Sequence, residues 1–474
     1  AAVADTQSRL ALSRTSPALP LLWRDANSAF ARITSGQPLF GGRVGEIPAG
    51  EFLSHCQQVA EHLPAQRYVV NLCDNPYLFT VAFCAALIRR QTTLLPQNRS
   101  PETLRRLSAE YPANYLLHNS QTDALPDLAD LTQVNLNQWR LTPASATRVP
   151  DIERDFLAAI AFTSGSTGIP KAIAKPWHTL VTSSLMNGAC MLPPADDVIH
   201  QLATVPPQHM WGLETGVLIP LFWPVCVADG RPMFPADLVK TLRELPAPRL
   251  LVSTPVHLRA LLGSNLTLPA CARTLCATAP LATELAAACE AASGGDLLEV
   301  YGCSEIGSTA YRRTATDSVW RLIPGLAFRQ ATPSDAGVPR IGGEHLAEDQ
   351  VLQDRVEIYP DGFKLLGRNE DMVNVGGKRG SLMQITQVLL SVPGVADAVV
   401  FMPAEEASRP AALVVAKGVA ASAIQQYFIQ YLDAVFLPRP LLFVDQLPRE
   451  NTGKIHRANV LSLYRDTLAQ ATKP

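Results

Sequence analysis

A run rich in hydroxyl groups and glycine, FTSGSTGIPK at residues 162–171, has the composition of a phosphate-binding loop. It comes directly after a strand-like apolar run, residues 157–162, and glycines let such a loop turn its backbone N–H groups inward. Hydroxyl donors and a lysine then suit phosphate oxygens through charge-assisted hydrogen bonds. A flexible linker or a polar surface loop has the same composition. The donors of this candidate cradle are Thr163, Ser164, Gly165, Ser166, Thr167, Gly168 and Lys171.

The loop is not the P-loop of ATPases. That motif requires Gly-Lys followed directly by Ser or Thr, whereas here Pro170 precedes Lys171 and Ala172 follows it. A P-loop kinase or ATPase is therefore excluded.

A carboxylate follows a second strand-like run in VYGCSEIG, residues 300–307. Glu305 lies just past the strand end, where ligands of open α/β sheets bind. One carboxylate beside a phosphate loop is a natural ligand for Mg²⁺. Taken alone, Glu305 after Ser304 also fits an ordinary helix start.

Two further stretches carry charged residues at turns. In residues 353–368 a Pro-Asp-Gly turn predicts a hairpin that brings Asp354 near Arg368, a pair suited to a ribose but also typical of a solvated ion pair. In LPRENTGKIHR, Lys454 follows a flexible Thr-Gly. A lysine on a mobile loop can approach a developing negative charge and be withdrawn again, although most lysines are ordinary surface residues.

The elements between these stretches alternate between apolar strands and alanine-rich helices. Residues 67–75, 91–98 and 113–119 are predicted as strands, and residues 76–90 and 101–111 as helices. The same alternation returns across residues 249–302. This pattern predicts an α/β fold with mostly parallel sheets covered by helices.

Composition describes a globular chain. Apolar residues make up 47% and charged residues 17%, and the formal net charge is −2, from 40 basic and 42 acidic side chains. This balance lacks the basic excess of nucleic-acid-binding proteins, so we expect no nucleic-acid partner. The nine cysteines contain no C-x-x-C and predict reduced thiols in a cytoplasmic protein. The longest apolar runs are shorter than the ~20 residues of a membrane span.

The sequence pattern changes near residues 362–380, which are rich in glycine and charged residues. Beyond them the pattern is helix, strand, strand, helix, strand, with residues 422–436 predicted as one helix. Such a passage between two patterned units is typical of a hinge. We therefore predict a large N-terminal domain, residues 1–368, and a small mobile α+β domain, residues 369–474.

The motifs TSGSTGIPK, YGCSE, D…DGFKLLGR…GGKRG and PRENTGK occur in one order, and together they resemble the adenylate-forming, AMP-binding superfamily. Its members include acyl- and aryl-CoA synthetases, adenylation domains of peptide synthetases, and luciferases. The resemblance covers roughly residues 155–460. It implies that ATP and a carboxylic acid give an acyl-adenylate and pyrophosphate, and that a thiol then displaces AMP.

The resemblance also implies residue roles. Residues 163–171 would hold the β- and γ-phosphates, Ser304 the α-phosphate and Glu305 the Mg²⁺. Lys454 would stabilise the adenylation transition state, as a catalytic residue with Glu305 and His209. The adenine and ribose would contact Thr278, Ala279, Tyr301, Gly302, Asp354 and Arg368.

In the family the small domain rotates between the two half-reactions. The hinge position here is Glu370, where Asp or Lys is more usual, and the rotation would bring Gly377 and Arg379 to the thiol side. His209 would stand between the acid pocket and the thiol entrance, although a packed core histidine fits the same pattern. Ala172 after the loop lysine and Gln384 after the glycine-rich passage also depart from the family pattern, which indicates a divergent, compact branch.

The acid pocket is predicted to be apolar with an aromatic side, lined by Met210, Trp211 and Leu213, with Glu214 as the one acid in the stretches that form it. This favours an aryl acid, hydroxybenzoate- or cinnamate-like, over a fatty acid or an amino acid. The sequence is compatible with two thiol acceptors, coenzyme A and the phosphopantetheine of an acyl carrier protein. A catalytically silent relative is disfavoured because the charged motif residues are intact, whereas a luciferase-like oxygenase shares all of them.

Overall fold

The computed structural model describes residues 2–36, 38–96, 98–163, 170–329, 338–352, 354–368, 371–375, 378–404, 407–450 and 453–471. The predicted cradle residues Ser164, Gly165, Ser166, Thr167 and Gly168, the hinge residue Glu370 and the thiol-side residue Gly377 lie outside this part of the chain. For Arg368 and Arg379 the backbone is described.

Helices and strands alternate along most of the described chain. The α-helices are α1 (Ala2–Thr15), α2 (Ala49–His62), α3 (Pro76–Ile88), α4 (Pro101–Glu110), α5 (Trp177–Met191), α6 (Met210–Leu213), α7 (Ile219–Phe222), α8 (Pro235–Glu244), α9 (Pro255–Leu262), α10 (Thr283–Ser293), α11 (Leu382–Ser391), α12 (Ala421–Phe428) and α13 (Arg457–Ala471).

The strands before residue 230 are β1 (Ala18–Pro20), β2 (Ala29–Ile33), β3 (Gly45–Pro48), β4 (Tyr68–Asn71), β5 (Thr92–Leu95), β6 (Asn114–His118), β7 (Gln133–Asn135), β8 (Asp151–Glu153), β9 (Leu157–Thr163), β10 (Lys171–Pro176), β11 (Ile199–Ala203) and β12 (Val225–Ala228). Those after it are β13 (Arg249–Ser253), β14 (Arg273–Cys276), β15 (Asp296–Cys303), β16 (Gly307–Arg312), β17 (Arg321–Leu322), β18 (Leu326–Arg329), β19 (Arg340–Gly343), β20 (Gln350–Val351), β21 (Asp354–Tyr359), β22 (Gly362–Arg368), β23 (Met372–Val375), β24 (Lys378–Ser381), β25 (Val395–Phe401), β26 (Ala411–Ala416) and β27 (Leu441–Phe443).

Two large sheets form the N-terminal part. The first has the order β10-β9-β5-β4-β6-β7 and is parallel except for its edge strand β10, which runs antiparallel to β9. The second has the order β17-β16-β15-β14-β13-β11-β12-β2-β3, with a parallel centre and antiparallel strands at both edges. The prediction of an α/β fold with mostly parallel sheets is thus confirmed.

Parallel sheets need cover on both faces, and the sequence supplies it. Helix α3, with no charged residue in PYLFTVAFCAALI, is buried over most of its length, and its first turn is capped by Asn75, whose side chain accepts from Leu78 N–H at 3.1 Å. The main apolar cluster extends from Leu10 to Leu352 and contains side chains from both large sheets. No helix among the described residues is long and apolar enough to cross a membrane.

A separate apolar cluster forms beyond residue 372, from Val373 to Leu437 around α11, β25, β26 and α12. The helix predicted over residues 422–436 is shorter than expected. Helix α12 ends at Phe428, and Asp433 accepts a hydrogen bond from Val435 N–H at the start of a short 3₁₀ turn. Beyond Phe428, Ile429 and Tyr431 are 55% and 60% exposed, so little apolar burial there favours continuing the helix.

Candidate active site

The phosphate-loop ends meet at the edge of the first sheet. Strands β9 and β10 are antiparallel and place Thr163 opposite Lys171, so the loop between them leaves and returns at one point. Lys171 Nζ lies 4.0 Å from Glu305 Oε1. Two residues 134 positions apart in the chain, each predicted from its own motif, are therefore neighbours.

Glu305 lies on a tight turn between β15 and its antiparallel neighbour β16. Gly307 closes this turn with φ +89°, a backbone conformation that favours glycine. His345 Nε2 contacts the Ile306 carbonyl oxygen at 3.2 Å, which fixes the residue after Glu305. Ser304 belongs to the same turn, between the strand end and Glu305. The turn therefore presents Glu305 towards Lys171 on a rigid backbone.

The chemistry of these donors fits a magnesium–nucleotide complex. Mg²⁺ is usually bound through one or two carboxylates together with substrate phosphates, and Glu305 beside the end of the phosphate loop supplies such a carboxylate. No group of three or more His, Cys, Asp or Glu side chains in the described ranges is arranged to hold a metal ion by itself.

The predicted ribose pair lies on a hairpin. Strands β21 and β22 pair antiparallel, with Asp354 directly opposite Arg368, as the Pro-Asp-Gly turn predicts. Tyr301, at the end of β15, donates its hydroxyl hydrogen to Asp354 Oδ2. Gly302 follows Tyr301, and any side chain there would collide with the Gly307 carbonyl oxygen. Asp354, Tyr301 and the Glu305 turn thus belong to one continuous surface.

Thr278, predicted at the adenine face with Ala279, follows β14 with φ +86°, a conformation that threonine rarely adopts. Its hydroxyl is buried without a hydrogen-bond partner among the described residues. Gly453 approaches it closely, since a Cβ on Gly453 would lie 3.3 Å from Thr278 Oγ1. This contact places the turn that carries Lys454 against the N-terminal part of the chain.

The Lys454 turn is held by hydrogen bonds at its base. Glu450 N–H donates to the Lys454 carbonyl oxygen at 2.8 Å, and Arg449 Nη1 donates to the Gly453 carbonyl oxygen at 2.7 Å. Arg449 also makes a bidentate pair with Asp397, at 2.6 and 2.7 Å. Asp397 lies 3.9 Å from Arg259 Nη1 of α9. The lysine is exposed on a turn whose base is rigid.

His209 precedes α6 and accepts a hydrogen bond from Leu213 N–H on its carbonyl oxygen at 2.7 Å. Burial, followed by the positive charges of Lys454, Arg99 and Arg231, lowers the pKa of His209 to about 4. The imidazole is therefore neutral at pH 7, and the positive charge of Lys454 contributes to keeping it so.

Helix α6 carries the predicted acid-pocket residues. Met210 is half-buried, whereas Trp211 and Leu213 are buried in the main apolar cluster. The helix continues as a π-helical turn, Glu214–Leu218, a feature frequent at functional sites.

Three polar residues near this site did not emerge from the sequence as functional candidates. Arg449 and Asp397 position the Lys454 turn, and they lie 52 residues apart, which hides the pair from any local pattern. Lys175 lies on the same face of β10 as Lys171, four residues further along, and the i, i+2, i+4 rule for strands could have identified it.

Comparisons with known proteins agree with this geometry. Residues 57–340 match the family model described as AMP-binding enzyme, and residues 384–454 match the AMP-binding enzyme C-terminal domain. A 4-coumarate–CoA ligase from Rhodobacter capsulatus is 32% identical over 50% of this chain and 58% of its own length. A 3,4-dihydroxybenzoate–[aryl-carrier protein] ligase from Bacillus anthracis is 22% identical over 63% of this chain and 72% of its own length.

Solved structures share the fold over nearly the whole chain. ATP-bound MatB from Rhodopseudomonas palustris superposes with a TM-score of 0.77 at 18% identity, covering 97% of this chain and 99% of that one. The anthranilate CoA ligase AuaEII, in complex with anthranoyl-AMP, gives 0.77 at 17% identity, covering 98% of both chains. The resemblance carried by the four motifs is confirmed.

Proposed function

Because this chain belongs to the AMP-binding enzyme family, we propose that it joins an aryl carboxylic acid to a thiol in two steps at one site. The enzyme class predicted from the sequence, an AMP-forming acid–thiol ligase, is confirmed at the level of the family. The identity of the acid, the acceptor and the residue roles are proposals. The observation that supports them best is the 4.0 Å approach of Lys171 to Glu305 at the end of the predicted phosphate loop.

In the first step an oxygen of the acid carboxylate attacks the α-phosphorus of ATP. A new C–O–P linkage forms, the bond between the α-phosphorus and the bridging oxygen breaks, and pyrophosphate leaves with the electron pair. Residues 163–171 hold the β- and γ-phosphates, and Ser304 contacts the α-phosphate. Bound Mg²⁺, held by Glu305, would neutralise charge on the phosphates.

Lys454 supplies the largest contribution of the chain to this step. Negative charge accumulates on the α-phosphate oxygens in the transition state, and a positioned ammonium stabilises it more than it stabilises the ground state. Because His209 is neutral at pH 7, it adds no positive charge of its own. Thr278, Ala279, Tyr301 and Gly302 line the adenine, and Asp354 and Arg368 hold the ribose.

In the second step the thiolate sulfur attacks the acyl carbon, a thioester forms and AMP leaves. We propose that residues 369–474 rotate about Glu370, remove Lys454 and bring Gly377 and Arg379 to the thiol. One small domain then serves both half-reactions. A turn with a rigid base but few contacts to the N-terminal part suits such a movement.

The acid is proposed to be aromatic because α6 presents Met210 and Trp211 on its walls. The relatives reported above are named as ligases of 4-coumarate, 3,4-dihydroxybenzoate and anthranilate. A fatty acid and an amino acid remain as the second candidates for the same pocket, and a silent nucleotide-binding relative remains as the non-enzymatic one. Coenzyme A and carrier-protein phosphopantetheine are both candidate acceptors, and a cytoplasmic location is part of the same proposal.

Acid-dependent ATP–pyrophosphate exchange tests this proposal. A panel of benzoates, cinnamates, fatty acids and amino acids is incubated with the enzyme, Mg-ATP and labelled pyrophosphate. We expect exchange with hydroxybenzoate- or cinnamate-like acids. Exchange confined to fatty acids or amino acids would overturn the aryl assignment, and ATP binding without exchange on any acid would favour the silent relative.

A further inference from the structure

Lys175 is a buried lysine for which the described residues provide no hydrogen-bond or ion-pair partner. Its residue is 2% exposed, although it lies on the same strand face as Lys171, whose side chain is 65% exposed. Among the described residues it forms neither a hydrogen bond nor an ion pair, and Glu214 and Glu305 act on it through charge alone. A buried charge is normally paired or hydrogen-bonded because its desolvation is costly. A water molecule or a ligand group can therefore accept from it.

Glu214 is the matching acid. It is 3% exposed, and Oε2 accepts from Asn187 Nδ2 at 2.8 Å. Both carboxylate oxygens also lie 3.1 Å from Ser308 N, which donates to them. Burial raises the pKa of Glu214, whereas the hydrogen bonds from Ser308, the charge of Lys175 and the hydrogen bond from Asn187 lower it. The carboxylate is fixed in place and retains free lone pairs.

Glu214 lies where the walls of the proposed acid pocket meet, and the charge of Lys175 acts on it. Glu214 follows directly after α6, and its bonds to Asn187 and Ser308 tie α6 to α5 and to β16, just beyond the Glu305 turn. The Trp211 indole N–H, on α6 itself, is buried and has no hydrogen-bond partner in the described part of the chain. This end of the proposed pocket therefore contains the unpaired Trp211 N–H, the Glu214 carboxylate and the Lys175 ammonium.

Charge restricts what can bind there. A methyl group would leave Lys175 unsatisfied, and an ammonium would be repelled by it. A second carboxylate would be repelled by Glu214 and Glu305. A hydroxyl can donate to Glu214 and accept from Lys175 at the same time.

We propose that Lys175 and Glu214 recognise a hydroxyl group at the end of the acid distant from its carboxylate, so that the enzyme selects hydroxylated aryl acids. This inference rests on the proposed function and assigns the specificity of its acid pocket. Lys175 and Glu214 are specificity residues, and neither takes part in the transfer of the adenylyl group.

The test is the ratio of kcat/KM values in ATP–pyrophosphate exchange for 4-hydroxybenzoate and 4-methylbenzoate, repeated for the corresponding cinnamates. Hydroxyl and methyl groups have similar volumes, so the ratio isolates polarity. A site that binds a substrate hydroxyl rejects the analogue lacking it strongly, and we expect a ratio of at least about 100 in one of the two series. 4-Aminobenzoate, whose uncharged aryl amine accepts hydrogen bonds poorly, and terephthalate are expected to be poorer than the hydroxyl acid.

The variants Lys175→Met and Glu214→Gln are expected to lower that ratio at least about tenfold, mainly by losing the hydroxyl acid. Lys240→Met and Glu244→Gln, at exposed positions of α8, are the matched controls and should leave it unchanged. Because both acids are measured on the same sample, a partly unfolded variant changes both rates and not their ratio.

Two results would overturn this inference while leaving adenylation intact. One is a wild-type ratio near one in both series. The other is an equal fall in kcat/KM for the hydroxyl and methyl acids in the variants, which would mean that Lys175 and Glu214 have a structural role. Absence of exchange with every acid of the wider panel would instead remove the proposed function and this inference with it.

Discussion

The edge strand β10 and the C-terminal turn carry the two lysines of the site, and they hold them differently. Lys171 stands on a strand paired along its length with β9, so its backbone is part of the first sheet. Lys454 stands on a turn fixed internally by Arg449 and Asp397, and it reaches the N-terminal part through the Gly453–Thr278 and Asp397–Arg259 contacts. We therefore propose that Lys171 is a permanent phosphate ligand and Lys454 a removable catalytic residue.

Lys454→Ala should give the largest effect and is the strongest test of the different roles proposed for the two lysines. We expect ATP–pyrophosphate exchange to fall about 1000-fold, because one preorganised charge facing a developing anion contributes about that much. Thioester formation from a preformed acyl-adenylate, measured in a single turnover, should stay within about threefold of wild type, because Lys454 is proposed to leave the site before the thiol attacks. A threefold change in rate is well below the 1.4 kcal/mol in barrier that corresponds to tenfold. Equal losses in both half-reactions would contradict the assigned role.

Asp397→Ala tests the base of the turn. The change leaves Arg449 and Arg259 without their shared carboxylate at sites where all three side chains are mostly buried. We expect the unfolding free energy of the C-terminal part to fall by about 3 kcal/mol, measured by urea denaturation followed by hydrogen exchange. Asp445→Ala, an exposed position on the same part of the chain, is the control. Unchanged hydrogen-exchange protection around the turn would contradict its anchoring role.

Lys171→Met should affect ATP rather than the turn. Loss of one charge-assisted contact to phosphate is expected to raise the KM for ATP about tenfold to one-hundredfold. Unlike Lys454→Ala, it should leave transfer from a preformed adenylate unchanged, because pyrophosphate has already left. A normal KM for ATP would show that the loop ends do not contact the nucleotide.

The smallest expected effect is a change in the pKa of His209, which compares the influence of Lys454 with that of Lys171. Its pKa is lowered from 6.5 to about 4, with burial as the main cause and Lys454 as the next. Removing that positive charge favours the imidazolium, so Lys454→Ala should raise the pKa of His209, whereas Lys171→Met should not. NMR of the imidazole C–H protons measures both, and equal shifts in the two variants would contradict the predicted proximity.

Protonation of His209 also makes the free energy of unfolding depend on pH. The folded pKa lies below the unfolded value, so neutral His209 favours folding above pH 6.5, and this contribution is lost as the pH falls towards 4. Between pH 6.5 and 5.5 the loss is about 1 kcal/mol of unfolding free energy. It should be absent in His209→Asn.

The sequence predicts the sheets and hairpins well because their signals are local. The β4–α3–β5 alternation and the pairing of Asp354 with Arg368 follow from apolar runs and one turn. The end of α12 was missed because residues 429–433 have a helical composition, whereas Ile429 and Tyr431 are largely exposed in the fold. Lys175 was missed because a lysine in an edge strand is typical of a solvent-exposed position, whereas the tertiary fold buries it.

The most direct test of the central claim follows the oxygen atoms. The preferred acid is prepared with ¹⁸O in its carboxylate and converted to thioester with unlabelled ATP, and the AMP is analysed by mass spectrometry. If the carboxylate attacks the α-phosphorus and the thiol then attacks the acyl carbon, each AMP carries one ¹⁸O. Unlabelled AMP, or label in inorganic phosphate, would contradict adenylation and with it the roles proposed for Lys454, Lys171 and Glu305.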